Sequence, residues 1–342
     1  MQSIFYNMKN KELSECWNIL PKVSRSFSLC IKLLPHPLDD RMMLSYLIFR
    51  IVDTIEDSEI KKQQKKRLFD LFLDTLSQPR FLSYQSKKCS SALLQNLTYS
   101  YEEILLRNLD AVLKVYFATP EKERTSILRR AKEMAEGMYK FQTKTINTFD
   151  EQNEYCYYAA GLVGYLFNDL FFYNNILSKK QAGRLIEHAK RYGLALQKVN
   201  IIRDIVNDAP DRKYWPIKLL KKYNLDYKSL LLTKNRKKAV NVLNEMIKDA
   251  LPFLDSGIDY VKALPRNALK VRVFCLIPLF MAVQNFVKCI NNRNVFEKKV
   301  KLTRPSVAAI VRKSYLCGYS NFLLDKWYNK NMKKARASFA PA

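Results

Sequence analysis

Apolar residues recur at intervals of three and four along almost the whole 342-residue chain, and strand-like alternation is hard to find. That spacing lays one apolar face along each segment of an α-helix and cannot serve a two-residue repeat. It predicts helices over roughly 38–57, 60–76, 92–117, 121–139, 151–174, 179–208, 236–262, 266–290 and 304–328. Short turns separate them, such as "PHP" at 35–37, "ATPEKE" at 118–123 and "NDAPDRKYWP" at 207–216. Nine or more helices joined by short loops define an all-α bundle. No Pro-, Gly- or Ser-rich linker divides the chain. It is therefore expected to form one domain over 1–342, with an N-terminal extension at 1–19 and a basic C-terminal tail at 326–342.

Two stretches break the apolar pattern with acids. "RIVDTIEDSE" (50–59) carries Asp53 and Asp57, with Glu56 beside them, and "NIIRDIVND" (200–208) carries Asp204 and Asp208. Residues four apart share a helical face, where two anions repel and resist burial. A helix cap or a surface ion pair would account for one such pair. Two of them, each beside an arginine (Arg50 and Arg203), point to hard oxygen ligands brought together across a bundle. Mg²⁺ suits that set, because it accepts a few carboxylates and shares the oxygens of a substrate phosphate. Arginine suits the other phosphate oxygens through paired hydrogen bonds. The pattern predicts a diphosphate site.

Composition narrows the alternatives. The chain has seven glycines and no Gly-rich phosphate loop or GxGxxG, which excludes P-loop and Rossmann sites. Only His36 and His188 are available, too few for a histidine-ligated metal or a histidine-centred triad. Seven cysteines without CxxC pairing, several in apolar runs, read as buried reduced thiols of a cytosolic protein. The net charge of +27 admits nucleic acid, an anionic membrane or a phosphorylated substrate. The basic residues are dispersed and no zinc-finger, RRM or basic-zipper pattern occurs, so nucleic acid is not expected. No signal peptide is expected at the N-terminus. The apolar run "VFCLIPLFMAV" (273–283) is short for a membrane span and contains Pro278, so it reads as a buried helix. Ala159, Ala160, Gly161 and Gly164 give the 151–174 helix a small face, fit for close helix contact or for an open cavity.

Five blocks resemble the squalene/phytoene synthase family, and squalene synthases in particular, over about 20–325. They are "SRSFSL" (24–29), "FRIVDTIED" (49–57), "EYCYYAAGLVG" (154–164), "LQKVNIIRDIVND" (196–208) with "RKYWP" (212–216), and "FCLIPLFMA" (274–282). A sixth, "CINNRNVFEKKVKL" (289–302), resembles a stretch that helps bind NADPH in squalene synthases. The resemblance implies an isoprenoid-synthase bundle with a central active-site cavity. It implies Mg²⁺, with Mn²⁺ as a substitute, on Asp53, Glu56, Asp57, Asp204 and Asp208. Arg50, Arg203 and Arg212 then match phosphate-binding arginines, with Gln197 and Asn200 flanking the second motif. Ser24, Arg25, Ser26, Phe27 and Tyr46 match the entrance and lining of the substrate pocket. Tyr155 matches a tyrosine assisting ionisation and proton removal, and Phe274 an aromatic that stabilises carbocations. NADPH, or NADH, would meet Ser24, Arg50, Asn292 and Lys301. Each match has a plainer rival: Ser24 and Ser26 as helix caps, Tyr155 and Phe274 as core.

Two departures from the family pattern bear on the metals. Ser58 stands where the first motif often carries a further acid, and Asn207 where the second often carries Glu. Both lower the charge near the metals without touching the aspartate pairs. "VFEKKVKLTRP" also lacks a glycine usual in the cofactor block. The implied reaction joins two farnesyl diphosphates into presqualene diphosphate and reduces it to squalene. A non-reducing phytoene or dehydrosqualene synthase, and a non-catalytic assembly factor on the same fold, are the alternatives. A monomer is expected, held on the cytoplasmic side of an anionic membrane by its basic tail. Lys326, Lys330, Lys333, Lys334 and Arg336 would supply the charge there, and Trp327 and Tyr328 the headgroup-seeking rings.

Overall fold

Every regular element is helical among the residues described in this computed structural model, which are 2–79, 82–96, 102–209 and 212–338. Side chains at 2–10, 25, 26 and 334 lie outside the description. The chain divides into two compact units, one of Met1–Thr143 with Leu166–Ala182 and the other of Lys144–Tyr165 with Gly183–Ala342.

In the first unit the Leu38–Asp57 helix is the hub, packed by the Gln2–Val23, Lys62–Ser77, Leu109–Ala118 and Glu121–Phe141 helices. Leu44, Leu47, Ile48, Ile51, Val52 and Ile55 follow the helical apolar repeat, and all are buried. Asp39 and Asp40 in its first turn complement the helix dipole. Asp40 also accepts the Trp17 indole N–H at 2.7 Å.

In the second unit the hub is Leu269–Cys289, packed by Arg236–Ala263, Arg304–Tyr319 and Asn321–Ser338. This helix extends past the apolar run at 273–283 and, at 21 residues, is long and apolar enough by length and composition to cross a membrane. Of its most apolar window, 72% is buried within the protein, as expected of a core helix. The small residues of the 151–174 segment serve close helix contact. A Cβ on Gly164 would stand 1.9 Å from the Ala189 carbonyl oxygen, and one on Gly193 would stand 2.2 Å from that of Ala160.

Helix boundaries differ from the sequence expectation where polar residues interrupt the repeat. The 92–117 segment is three helices, Leu82–Asn96, Glu103–Arg107 and Leu109–Ala118. A π-helical turn at Tyr157–Gly161 lies within the 151–174 segment. The 179–208 segment breaks at Asp204, between Lys179–Arg203 and Ile205–Asp208. The segment from 304 breaks at Ser320. The 326–338 part of the expected tail is the end of a packed helix, with Met332 and Ala335 buried; residues 339–342 lie outside the described ones. Trp327 and Tyr328 correct the expectation made of them. The Trp327 ring stacks on Phe280 at 3.7 Å, and buried Tyr328 donates its hydroxyl to Asp255 at 2.9 Å, so neither ring faces a headgroup layer.

All seven cysteines are buried, and none is in a disulfide. Burial pushes the Cys16, Cys30, Cys89, Cys156 and Cys289 thiols up to about 12, which leaves them unreactive.

Candidate diphosphate and metal sites

The first acidic motif occupies the last turns of Leu38–Asp57, so Arg50, Asp53 and Asp57 follow one helical face. All three are half-buried. Arg50 is ion-paired with Glu102. Burial works against its charge, but the Glu102 hydrogen bond and the charge of Asp53 outweigh that and raise its affinity for the proton. Among the described residues the buried Arg50 Nε has no hydrogen-bond partner, an unused donor suited to an anion's oxygen. The Glu56 carboxylate accepts from the Gln142 amide at 3.2 Å, and its main-chain carbonyl accepts from Lys65 Nζ at 2.5 Å. Those bonds tie Glu56 to its own unit.

The "SRSF" block joins this group. Ser24 caps Arg25–Ile31, its hydroxyl oxygen accepting from the Phe27 N–H at 3.2 Å. The capping role expected of it as the plainer alternative is therefore present. The Tyr46 hydroxyl reaches the Val23 carbonyl at 3.4 Å, and the Phe27 and Tyr46 ring centroids are 5.6 Å apart. Burial raises the Tyr46 pKa, partly offset by a Ser24 hydrogen bond and the Arg50 charge. Ser24, Phe27, Tyr46, Arg50 and Asp53 therefore form one neighbourhood. Arg25 and Ser26 lie in the first turn of their helix, and their side chains are outside the description.

The second motif sits where the Lys179–Arg203 helix is interrupted. Asp204 has φ −102° and ψ 8°, off helical values, yet the Asp208 N–H still donates to its carbonyl at 3.0 Å. Arg203 grips Asp204 with Nε to Oδ1 and Nη2 to Oδ2, both at 2.8 Å, and Lys299 Nζ reaches Oδ2 at 2.8 Å. Burial alone would raise the Asp204 pKa, but these two cations lower it. Asp208 goes the other way: burial, then the Asp204 charge, pushes it up to about 6. This split is what two neighbouring carboxylates show when cations satisfy only one. A divalent cation would satisfy both, so the donor set fits Mg²⁺.

The Arg212 guanidinium donates to the Tyr214 hydroxyl at 3.2 Å, and the Tyr214 ring stacks on buried Tyr155 with centroids 4.5 Å apart. Gln152 Nε2 holds the Tyr214 carbonyl at 2.8 Å. Gln152 in turn accepts from Lys198 Nζ at 3.0 Å, and Lys198 is ion-paired with Asp249. Gln197 and Asn200 are half-buried on the Lys179–Arg203 helix, where the Asn200 carbonyl accepts from Asp204 N–H at 2.9 Å. Phe274 is fully buried in Leu269–Cys289. Asn292 caps a short turn, accepting from Asn294 N–H at 3.0 Å, and the Lys301 carbonyl accepts from Lys288 at 3.3 Å.

Glu102, Asp249, Tyr214 and Lys299, with Gln152 and Lys198, were not singled out from the sequence. Glu102 and Asp249 are remote acids in polar or mixed segments, with no motif to mark them. Tyr214 lies inside a block already quoted, "RKYWP". Lys299 shares its block with Lys301, and spacing alone does not say which lysine turns toward the acids.

The all-α fold and the paired aspartates with flanking arginines are the features of an enzyme that handles prenyl diphosphates. The squalene/phytoene synthase family model matches residues 20–306. The squalene synthase of Dictyostelium discoideum is 32% identical over 307 residues, covering 89% of this chain and 70% of the relative. That of Homo sapiens is 32% identical over 305 residues, covering 88% and 69%. A solved structure of TcSQS in complex with a ligand superposes with a TM-score of 0.86 at 29% identity, over 96% of this chain and 92% of that one. A dehydrosqualene synthase structure shares the fold at a TM-score of 0.64 and 18% identity, over 92% of this chain and 99% of its own. The chain belongs to the squalene/phytoene synthase family.

Proposed function

We propose that this protein is a squalene synthase, condensing two farnesyl diphosphates head to head and then reducing presqualene diphosphate with NADPH. The observation that carries the reading is the retention of both aspartate pairs, each with its arginine, in a chain similar to squalene synthases over most of its length. Asp53 and Asp57 in one unit, and Asp204 and Asp208 in the other, would hold Mg²⁺. When bound, that ion supplies Lewis-acid stabilisation of the departing diphosphate.

The protein's own groups do the rest. Arg50, through its unused Nε, and Arg212 take diphosphate oxygens and orient the leaving group. Arg203 and Lys299 hold Asp204 ionised and aligned before the ion arrives. With Asp204 engaged by Mg²⁺, Arg203 and Lys299 would be available to take substrate phosphate oxygens. Tyr155, fixed by its stack on Tyr214, presents a hydroxyl for proton removal and a ring face for positive charge. Phe274 offers a second ring for the same purpose, and the apolar core excludes water. The nicotinamide cofactor is assigned to Asn292 and Lys301 of the 289–302 block with Ser24 and Arg50, and Lys299 makes that block continuous with the second acidic motif. The protein works as a monomer on the cytoplasmic face of a membrane, where amphiphilic farnesyl diphosphate can be taken up and the squalene oil can pass into the bilayer.

Purified protein with farnesyl diphosphate and Mg²⁺ tests the reading, with and without NADPH. Squalene that appears only with NADPH supports it, and the same product under both conditions refutes the reductive step. Asp53→Asn and Asp204→Asn are each expected to lower turnover by about two to three orders of magnitude with the helical content unchanged. Near-normal turnover in both variants overturns the assignment of the aspartates.

A further inference from the structure

The turn joining the Arg304–Tyr319 and Asn321–Ser338 helices carries the most exposed aromatic group among the described side chains that lie in one stretch of chain. Phe322 is 72% exposed, Tyr319 66% and Leu316 54%, with Tyr315 and Leu323 also exposed. An apolar cluster held in water has a cost that a monomer avoids unless the patch meets something.

This exposure is built into the fold. Beneath the turn lies Arg272, fully buried, donating from Nε to the Gly318 carbonyl at 2.7 Å and from Nη2 to the Asn321 side chain at 2.6 Å. Its Nη1 holds the Val261 and Leu264 carbonyls at 2.8 and 2.9 Å. Asn321 also donates to the Lys262 carbonyl at 3.1 Å, and Lys262 pairs with Asp325 at 2.9 Å. The rings are thus presented by a turn pinned to the core of its own unit, so their order is already in place before any contact.

Charge identifies the partner. Over 304–338 the chain has eight lysines and arginines and one acid, Asp325, which pairs with Lys262; from the packed Arg236–Ala263 helix Asp259 shares Lys262 and Asp255 pairs with Arg336, which leaves the other cations in clear excess. Exposed Arg312 and Lys313 precede the apolar cluster, and exposed Lys326, Lys330 and Lys333 follow it along the next helix. Exposed aromatic and aliphatic groups at a turn, with exposed cations before and after them along the chain and cations in excess over acids, match a lipid headgroup layer with negative charge. We propose that this turn is the membrane-docking surface, inserting Phe322, Leu316 and Tyr319 among acyl chains and headgroups while the flanking cations meet anionic lipid. Docking here moves the contact from Trp327 and Tyr328, whose rings are committed to the core, to the exposed side chains just before them. It deepens the peripheral-membrane part of the proposed function and does not depend on the reaction.

Sedimentation with phosphatidylcholine vesicles, with and without about a third phosphatidylserine, tests it. The unaltered protein is expected to pellet with the anionic vesicles and to be released by salt. The Tyr319→Ser/Phe322→Ser double variant is expected to lose about tenfold or more in partitioning. Lys326→Glu/Lys330→Glu is expected to weaken only binding to the anionic vesicles. Because every native cysteine is buried, Phe322→Cys accepts an environment-sensitive fluorophore, whose emission is expected to shift to the blue on vesicle addition. Unchanged pelleting of the double variant overturns the proposal. So does binding that is equal on neutral and anionic vesicles. A concentration-dependent dimer that the double variant abolishes, without vesicle binding, would assign the patch to a second copy of the chain. Farnesyl diphosphate turnover in detergent micelles is the control: the double variant should match the unaltered protein. Loss of turnover in both would count against the enzymatic reading and leave the docking result standing.

Discussion

Removing Asp249 is expected to cost more than removing its partner Lys198, because the two ends of this ion pair differ in access to water. Lys198 is 1% exposed and Asp249 20%. In Asp249→Ala the ammonium keeps one amide oxygen, Gln152 Oε1 at 3.0 Å, and the faces of Phe253 and Phe149 at 4.9 and 5.7 Å. Truncating one partner of a buried pair costs about 3–5 kcal/mol. Cation–π attraction offsets about 1 kcal/mol of that, so a loss near the lower end is expected. In Lys198→Met the carboxylate left behind is reached by water and only Gln152 loses a buried partner, so about 1–3 kcal/mol is expected. Lys198→Met/Asp249→Leu, with no charge left to solvate, should be less costly than Asp249→Ala alone. Two compact units make a single global transition an unsafe measure. Amide hydrogen exchange over Lys179–Arg203 and Arg236–Ala263, the helices that carry the two residues, reads the local free energy instead. Equal losses in the two single variants, or losses below about 1 kcal/mol in both, would refute the placement of an obligatory cation there.

The glycines give a paired outcome: Gly164→Ala, driving a Cβ to 1.9 Å from the Ala189 carbonyl oxygen, should sharply lower the exchange protection of the Lys179–Arg203 helix. Gly183→Ala, with nothing within 4 Å of the new Cβ, should stabilise the Lys179–Arg203 helix by about 0.5–1 kcal/mol. Asp208 gives the pH dependence. Its folded pKa of about 6 lies above the ordinary 3.8, so its contribution to stability is full below about 4 and is lost as pH rises through 6. The local free energy read by amide hydrogen exchange over Lys179–Arg203 in the metal-free protein should therefore fall between about pH 4 and 6, and Asp208→Asn should flatten that fall. An unchanged slope in the variant would point to another group.

The helical class was legible because it rests on a repeat that any solvent-facing helix must obey. The Leu38–Asp57 helix falls on the expected 38–57 residue for residue, since Pro37 precedes it and a burst of polar residues follows. The breaks were not legible. Asp204 interrupts a helix that periodicity carries through to 208, at a carboxylate held by its neighbour Arg203 and by the remote Lys299. Ser320 likewise ends a helix whose apolar repeat continues on the far side, and the signal there is Arg272, 48 residues away, which captures the Gly318 carbonyl. Polar captures of main-chain groups leave no period in a sequence.

The same distinction separates the parts of the site. Carboxylates four residues apart announce themselves, because no ordinary apolar helix face tolerates them without a cation. Their supporting groups are single residues drawn from remote segments: Glu102 for Arg50, Lys299 for Asp204, and Gln152 with Lys198 for the Tyr214 that backs Tyr155. Composition misleads most where a side chain is amphipathic. Trp327 and Tyr328 look suited to an interface beside a run of lysines, but a helix turns successive residues by about 100°, and that rotation aims these two rings at Phe280 and Asp255. The lysines at 326, 330 and 333 share the exposed stripe of Phe322 instead. Exposed Leu316 and Tyr319 lie just before that stripe, at the end of the helix that Arg272 pins through the Gly318 carbonyl.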